Sequence, residues 1–440
     1  MNINSIILFF VLFQFNLVFA NNFQDKSETS ALPDQVVDLT IFHTNDIHSH
    51  MHAPKSDEFH LGGLARLSTL LKSLREQSPL AITLDAGDWS EGTWYYNIDA
   101  GQNMLRILNQ IGYDTVVVGN HDYLSGPDLL LGTVKNARVN FKVLAANLDF
   151  ANYTNAGEFQ QSILPYVILE KQGIKIGVIG LTQNGYEYAG YFKPVVVTSP
   201  LKEAIKQARA LRSKVDVLIL LSHNHFILNE QIARLTPGID AVISGHTHKK
   251  ISKAVMVWNI SGKKVPVVET EAWGKFIGEL HFKVDLQNKK VAYESYQLHP
   301  VVPTLKEDPV ISQMIAEEDQ KLKQLAGMDT SQIIGWSEIP LGSHDSREAG
   351  LCDLLVKSLQ KTTQSEAAIE LVSLTGVDLP AGPITVMDAH NVMPHLYNFE
   401  TKKEWTIKLW KASGRDLGLI TKIAYLPNIL PLKETGFFLF

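Results

Sequence analysis

The chain has 440 residues, of which 45% are hydrophobic and 20% charged, and its formal net charge is -6. A chain of this length is expected to form two globular domains with cores of their own. An acidic balance without a long Lys/Arg run excludes a nucleic-acid polymer as the expected partner, and a single cysteine, Cys352, excludes an internal disulfide framework.

Residues 3–20 are mostly apolar, with an unbroken stretch at Ile6–Phe13, and Ala20 is followed by Asn21-Asn22. This reads as a signal peptide, residues 1–20, although no Lys or Arg precedes the apolar stretch. The expected location is therefore the periplasm or another extracytoplasmic space. No other run reaches the ~18 apolar residues of a membrane span, so none is expected after signal cleavage. Residues 21–35 are polar and read as a loose leader.

From Val36 to Val302, short apolar runs alternate with segments of helical spacing. Helices are predicted over Leu64–Arg75, Met104–Ile111 and Leu201–Leu211. The alternation argues for a layered α/β domain spanning 36–302. The β-rich segments Val265–Val268, Ile277–Val284 and Val291–Leu298 read as its closing strands. Pro300 and Pro303 then break the pattern, and Val310–Leu325 reads as an amphipathic helix within a linker, residues 303–332. Residues 333–440 form a second, α+β region with a helix over Ala349–Gln360, in which Cys352 is expected to pack.

Five of the apolar runs stop at metal-ligand residues. Thr40–Phe42 leads to Asp46 and His48, Leu80–Leu84 to Asp88, and Thr115–Val118 to Asn120-His121-Asp122. Val215–Leu221 leads to His223, and Ile239–Ile243 to Gly245-His246-Thr247-His248. Loops after the strands of an α/β sheet converge at its carboxyl edge. Carboxylates and imidazoles without thiolate suit a pair of divalent ions such as Zn, Mn, Fe or Co.

These motifs, with the flanks Thr44-Asn45-Asp46-Ile47-His48, Gly62-Gly63-Leu64-Ala65-Arg66 and Asp85-Ala86-Gly87-Asp88, resemble the bacterial 5'-nucleotidase/UDP-sugar hydrolase family of calcineurin-type metallophosphoesterases. The resemblance implies a layered β-sandwich flanked by helices, followed by a partial, apparently truncated C-terminal substrate-binding domain. It assigns Asp46, His48, Asp88 and His248 to one divalent ion, and Asp88, Asn120, His223 and His246 to a second, with Asp88 as the bridge. The two ions would lower the pKa of a bound water and grip the phosphoryl oxygens. His121 resembles the imidazole that faces the substrate and acts in catalysis. Leu124 stands where the family places an orienting Asp, so His121 is expected to lack that partner, and Leu124→Asp tests whether its absence limits turnover. Asn45 and Arg66 read as supports, His52 and His225 as peripheral, and Trp89, Trp94 and Tyr95 as site wall or core.

In the second region, Ser346-Arg347-Glu348 and Met393-Pro394-His395 match positions that contact the substrate, so Arg347 and His395 are the candidate substrate-binding residues. Asp378 stands where a phosphate-binding Arg is expected, and Asp cannot clamp phosphate as Arg does. The implied activity is hydrolysis of a small phosphorylated substrate, a nucleotide in the first instance, with little preference for AMP over simple esters. Cyclic phosphodiesters, UDP-sugars or a sulfur ester are alternative substrates, and a non-enzymatic binding protein is an alternative of another class.

Overall fold

Strand β1, Val36–Thr44, has two apolar faces to cover. Leu39 and Ile41 enter one buried cluster and Phe42 enters another, as the two-residue alternation of a strand requires. The computed structural model describes residues 36–57, 59–185, 190–342, 350–369, 376–394 and short stretches between 397 and 419.

Two mixed sheets form the body. The first contains β1, β2 (Ala81–Asp85), β3 (Thr115–Val117), β4 (Lys142–Leu144), β6 (Ile163–Leu164), β14 (Phe276–Asp285) and β15 (Lys290–Pro300). Its order is β15-β14-β1-β2-β3-β4-β6; the run from β1 to β6 is parallel, and β14 and β15 are antiparallel. The second contains β7 (Tyr166–Lys171), β8 (Ile174–Leu181), β10 (Val217–His223), β11 (Ala241–Gly245), β12 (Val255–Trp258) and β13 (Lys264–Val268), in the order β12-β13-β11-β10-β8-β7. A small ladder pairs β5 (Leu148–Asp149) with β9 (Val196–Val197).

The sheets share a core of Leu39, Ile41, Ile82, Leu84 and Val117 from one side and Ile176, Val178, Ile219, Leu221 and Ile243 from the other. Each such side chain contributes roughly 1.5–3 kcal/mol when removed from water. Outside the first sheet lie the helices Leu64–Gln77, Gln102–Ile111 and Pro127–Ala137; outside the second lie Pro200–Leu211 and Phe226–Leu235. This is the expected layered α/β sandwich.

The helix Pro309–Ala326 packs on the first helical layer through Ile311, Ile315 and Leu322. Asp308 caps it, accepting from the N–H groups of Val310 at 2.9 Å and Ile311 at 3.4 Å. Beyond it, strands Ile333–Ser337 and Gly382–Thr385 pair antiparallel, and the helices Gly350–Thr363 and Val386–Val392 pack around Leu351, Leu379 and Val392. This region touches the loop after β2: Trp94 stacks on His390 with ring centroids 4.2 Å apart. Lys55 also donates to Asp388 at 2.8 Å. A crevice of about 360 Å³ lies there, lined by Lys55, Tyr95, Asp319, Lys323, Asp378 and Asp388 among others, and by none of the predicted metal ligands. No helix among the described residues is long and apolar enough to cross a membrane.

Candidate metal centre

All seven predicted ligands sit at or just beyond the carboxyl ends of β1, β2, β3, β10 and β11. The first three strands belong to one sheet and the last two to the other, so the cluster lies across the edge of the sandwich. Asn45 secures the first loop: it donates to Asp46 Oδ2 at 2.7 Å and accepts from the N–H and Oγ1 of Thr270 at 2.8 and 2.7 Å.

The backbone is bent sharply to present these side chains. Asp46, His48, Asp88, His246 and His248 all have positive φ, between 50° and 85°. A non-glycine residue in that region costs on the order of 1–3 kcal/mol and persists where surrounding structure over-determines it. Asp122 is one such determinant. Its carboxylate accepts from the N–H groups of Asp88 (3.0 Å), Gly119 (2.8 Å) and Ser90 (3.0 Å), and from the Ser90 hydroxyl (2.7 Å). Gly119 is required by proximity, since a Cβ there would lie 2.1 Å from Asp88 Oδ1.

The donors gather in two groups, Asp46–His48–His248 and Asp88–His223–His246. Within each, the ligand atoms lie within 4.8 Å of one another. The histidine tautomers follow from their outer partners. His48 Nδ1 meets the Glu91 carbonyl at 2.5 Å and His223 Nδ1 meets the Ala86 carbonyl at 2.7 Å. A carbonyl only accepts, so both Nδ1 atoms carry hydrogen and, in the neutral rings, both Nε2 atoms present lone pairs. His48 Nε2 faces His248 Nε2 at 3.1 Å and Asp88 Oδ2 at 3.7 Å. His223 Nε2 faces Asp88 Oδ2 at 3.0 Å and Asn120 Oδ1 at 3.1 Å. Ring nitrogens and carboxylate oxygens converging this closely call for positive charge between them, from protons or from cations, so this donor set fits divalent cations. Asp88 Oδ2 stands between His48 and His223, the position a bridging carboxylate requires.

Electrostatics point the same way. Burial opposes a charge on His223, but Asp88 beside it outweighs burial and lifts its pKa to about 10. Burial likewise opposes a charge on His121, and Asp88 and Glu91 lift it to about 9. Burial holds His48 down to about 4, and burial together with His223 and His225 holds His246 well below its ordinary value. Burial alone would raise the Asp88 carboxyl; the imidazoles of His223 and His121 hold it well below the usual carboxylate range. The Asp88 carboxylate therefore stays ionised at neutral pH.

His121 adjoins both groups: its N–H donates to Asp88 Oδ1 at 2.8 Å, and its ring lies edge-on to His48 with centroids 4.9 Å apart. The expectation that His121 lacks a carboxylate is overturned, because its Nδ1 meets Glu91 Oε2 at 2.5 Å. Leu124 is buried, and the acid comes instead from the loop after β2, a tertiary contact without a sequence signal. His225 packs against the ring of His246, while His52 is exposed and pairs with Asp319. Trp89 is fully buried in the core. Arg347 and His395 lie outside the described residues. Sequence reasoning also missed Glu269, which accepts from the hydroxyls of Ser244 and Thr247, each at 2.8 Å, and from Lys249 N–H at 2.9 Å. It thereby braces the loop carrying His246 and His248.

Residues 39–250 match the family model of the calcineurin-like phosphoesterases. The chain is 29% identical to a 5'-nucleotidase of Rattus norvegicus over 323 residues, which are 68% of this chain and 55% of that protein. It is 30% identical to the snake venom 5'-nucleotidase of Crotalus adamanteus over 327 residues, 69% of this chain and 53% of the relative. The chain thus spans about half the length of these curated relatives. The crystal structure of a 5'-nucleotidase precursor from Thermus thermophilus matches with a TM-score of 0.72 at 26% identity, over 82% of this chain and 74% of that one. The NAD nucleotidase of Haemophilus influenzae has the same fold, with a TM-score of 0.62 at 21% identity over 82% and 75% of the two chains.

Fold and site thus define a metal-dependent hydrolase by class. Residues 39–250 form a calcineurin-like phosphoesterase domain, and the chain is a relative of the 5'-nucleotidases.

Proposed function

We propose that this protein is an exported two-metal phosphomonoesterase acting on small phosphorylated substrates, nucleotides first among them. The observation that carries this reading is the seven-donor cluster, in which two groups of ligand atoms meet at Asp88. In this reading Asp46, His48, Asp88 and His248 hold one ion, and Asp88, Asn120, His223 and His246 hold the other. Two bound divalent ions would supply Lewis acidity, activating water and neutralising phosphoryl charge. The chain's own residues do the rest. The backbone carbonyls of Ala86 and Glu91 fix the ligand tautomers, and Asp122 holds the Asp88 and Asn120 loops together. His121 places a protonatable ring nitrogen beside the cluster, within reach of a phosphoryl oxygen or a leaving group.

Support for a nucleotide substrate is the likeness to 5'-nucleotidases. The same proposal divides the chain into a catalytic body of residues 36–302, the connecting segment 303–332 and a substrate-binding region from 333 that contributes Arg347 and His395. Export rests on the apolar leader of residues 3–20.

The test is a substrate panel with purified protein: p-nitrophenyl phosphate, its bis-ester, AMP, cyclic AMP and UDP-glucose, before and after chelation. Hydrolysis of the monoesters, lost with chelator and restored by Zn, Mn, Co or Fe, is the expected result. Protein that retains two metals per chain and hydrolyses none of the panel would sink this reading in favour of a binding protein. Faster turnover of the bis-ester, cyclic AMP or UDP-glucose than of either monoester would move the assignment to the alternative substrates.

A further inference from the structure

The loop after β2 contributes more than Asp88. Two residues further on, Ser90 is held by Asp122 through both its N–H and its hydroxyl. Next comes Glu91, and then Gly92 with φ of 152°, where a Cβ would stand 2.5 Å from His48 Cβ. Glu91 is therefore gripped from both sides, between the Asp122 clasp and the backbone of the His48 loop. Its carbonyl accepts from His48 Nδ1, and its carboxylate meets His121 Nδ1 at 2.5 Å. The Glu91 side chain is 3% exposed and that of His121 19% exposed. A carboxylate so far from water needs a partner with a proton to give.

We propose that Glu91 is the positioning residue of His121: it fixes the tautomer and the tilt of the ring, so that the chemistry assigned to His121 falls to Nε2. The loop after β2 thereby supplies the acid that an Asp at position 124 would otherwise provide. One residue then aligns two imidazoles, His48 through its backbone and His121 through its side chain. The division has a consequence. Changing the side chain leaves the carbonyl in place, so metal retention and turnover separate. The inference rests on the reading of the centre as a phosphoesterase site with His121 acting in it.

The test uses the metal-loaded full chain and p-nitrophenyl phosphate. Glu91→Ala is expected to lower kcat roughly 10- to 100-fold, the range for partners that orient a functional histidine. KM should change much less, and two metals per chain should remain. Glu91→Leu fills the same volume without an acceptor and should match Ala, which keeps the test valid if the Ala variant folds poorly. Glu91→Gln retains an amide oxygen to accept from Nδ1 and should recover most of the turnover. In a His121→Ala background, Glu91→Ala should cost nothing further, because the two act as one unit.

An equal loss in both backgrounds, or loss of metal from Glu91→Leu, would overturn the assignment and make Glu91 a support of the fold or of the metal loops. A gain in turnover from Leu124→Asp would also overturn it, since His121 would then still want a carboxylate. His121→Ala with parental turnover would instead overturn the functional reading beneath it.

Discussion

His223 gives its Nδ1 hydrogen to the carbonyl of Ala86 and turns its other nitrogen to Asp88, 3.0 Å away. Ala86 and Asp88 flank Gly87 on the loop after β2, whereas His223 ends β10 of the opposite sheet. A single imidazole thus reads the position of one loop at two points. Displacing that loop would disturb the tautomer of His223 as well as the Asp88 carboxylate.

Asp88→Asn should therefore be severe. The amide carries less charge and offers one acceptor oxygen where Asp88 makes contacts with both: Oδ1 takes the His121 N–H and Oδ2 faces His48 and His223. Turnover of p-nitrophenyl phosphate should fall by at least roughly 10²-fold and bound metal should drop below two per chain. Elemental analysis beside the rate assay decides it, and two retained metals with near-parental turnover would refute the ligand assignment.

Gly119→Ala should resemble a ligand mutant although position 119 donates no side chain. The new methyl would stand 2.1 Å from Asp88 Oδ1, and the neighbouring backbone leaves it little room. Reduced metal affinity by calorimetry, with the secondary structure unchanged by circular dichroism, is the expected pattern. Parental affinity would mean the loop yields more readily than its contacts suggest.

Asp122→Asn turns an acceptor into a donor against a set of donors. Three N–H groups and one hydroxyl converge on the Asp122 carboxylate, and a side-chain NH2 must oppose some of them. Leaving buried donors unpaired costs about 1–3 kcal/mol. Urea unfolding should show a loss of that size, accompanied by weaker metal binding; an unchanged midpoint would count against the clasp.

Asp308 supplies a pH-dependent element away from the centre. Burial raises its pKa, but hydrogen bonds from Lys72, Ser68, Val310 and Ile311 outweigh that and hold it at about 2, below its ordinary 3.8. A depressed carboxylate stabilises the fold fully above its unfolded value and loses that contribution as pH falls through the folded one. Asp308→Ala should thus cost about 1–2 kcal/mol at pH 7, the usual worth of such a cap. The gap to the parent protein should narrow between pH 4 and pH 2. Denaturant midpoints for both proteins at pH 7 and pH 3 check this, and a gap that stays constant would exclude the carboxylate as its source.

The centre was legible in the sequence because ligand-type residues follow apolar runs directly. Val217–His223 is buried throughout, and its last residue faces the site. The helices at 64–77, 102–111 and 309–326 were equally visible, since each carries an apolar face at helical spacing. Which strands share a sheet was not legible. β3 and β10 both read as buried apolar runs, and only tertiary pairing assigns them to different sheets. Glu91 escaped for a related reason: it stands 30 positions from His121, and nothing local marks an acid in a loop as the partner of a distant ring.

Each donor group takes members from both halves of the sandwich: Asp46 and His48 with His248, and Asp88 with His223 and His246. An ion held by either group would be a rivet through the seam, drawing together layers whose shared core is apolar. Occupancy and resistance to heat then become two readings of one quantity, because a ligand that binds only the folded chain stabilises it in proportion to the logarithm of its excess over Kd. A melting curve taken along a metal titration would serve as a gauge of how full the centre is, without any substrate being turned over.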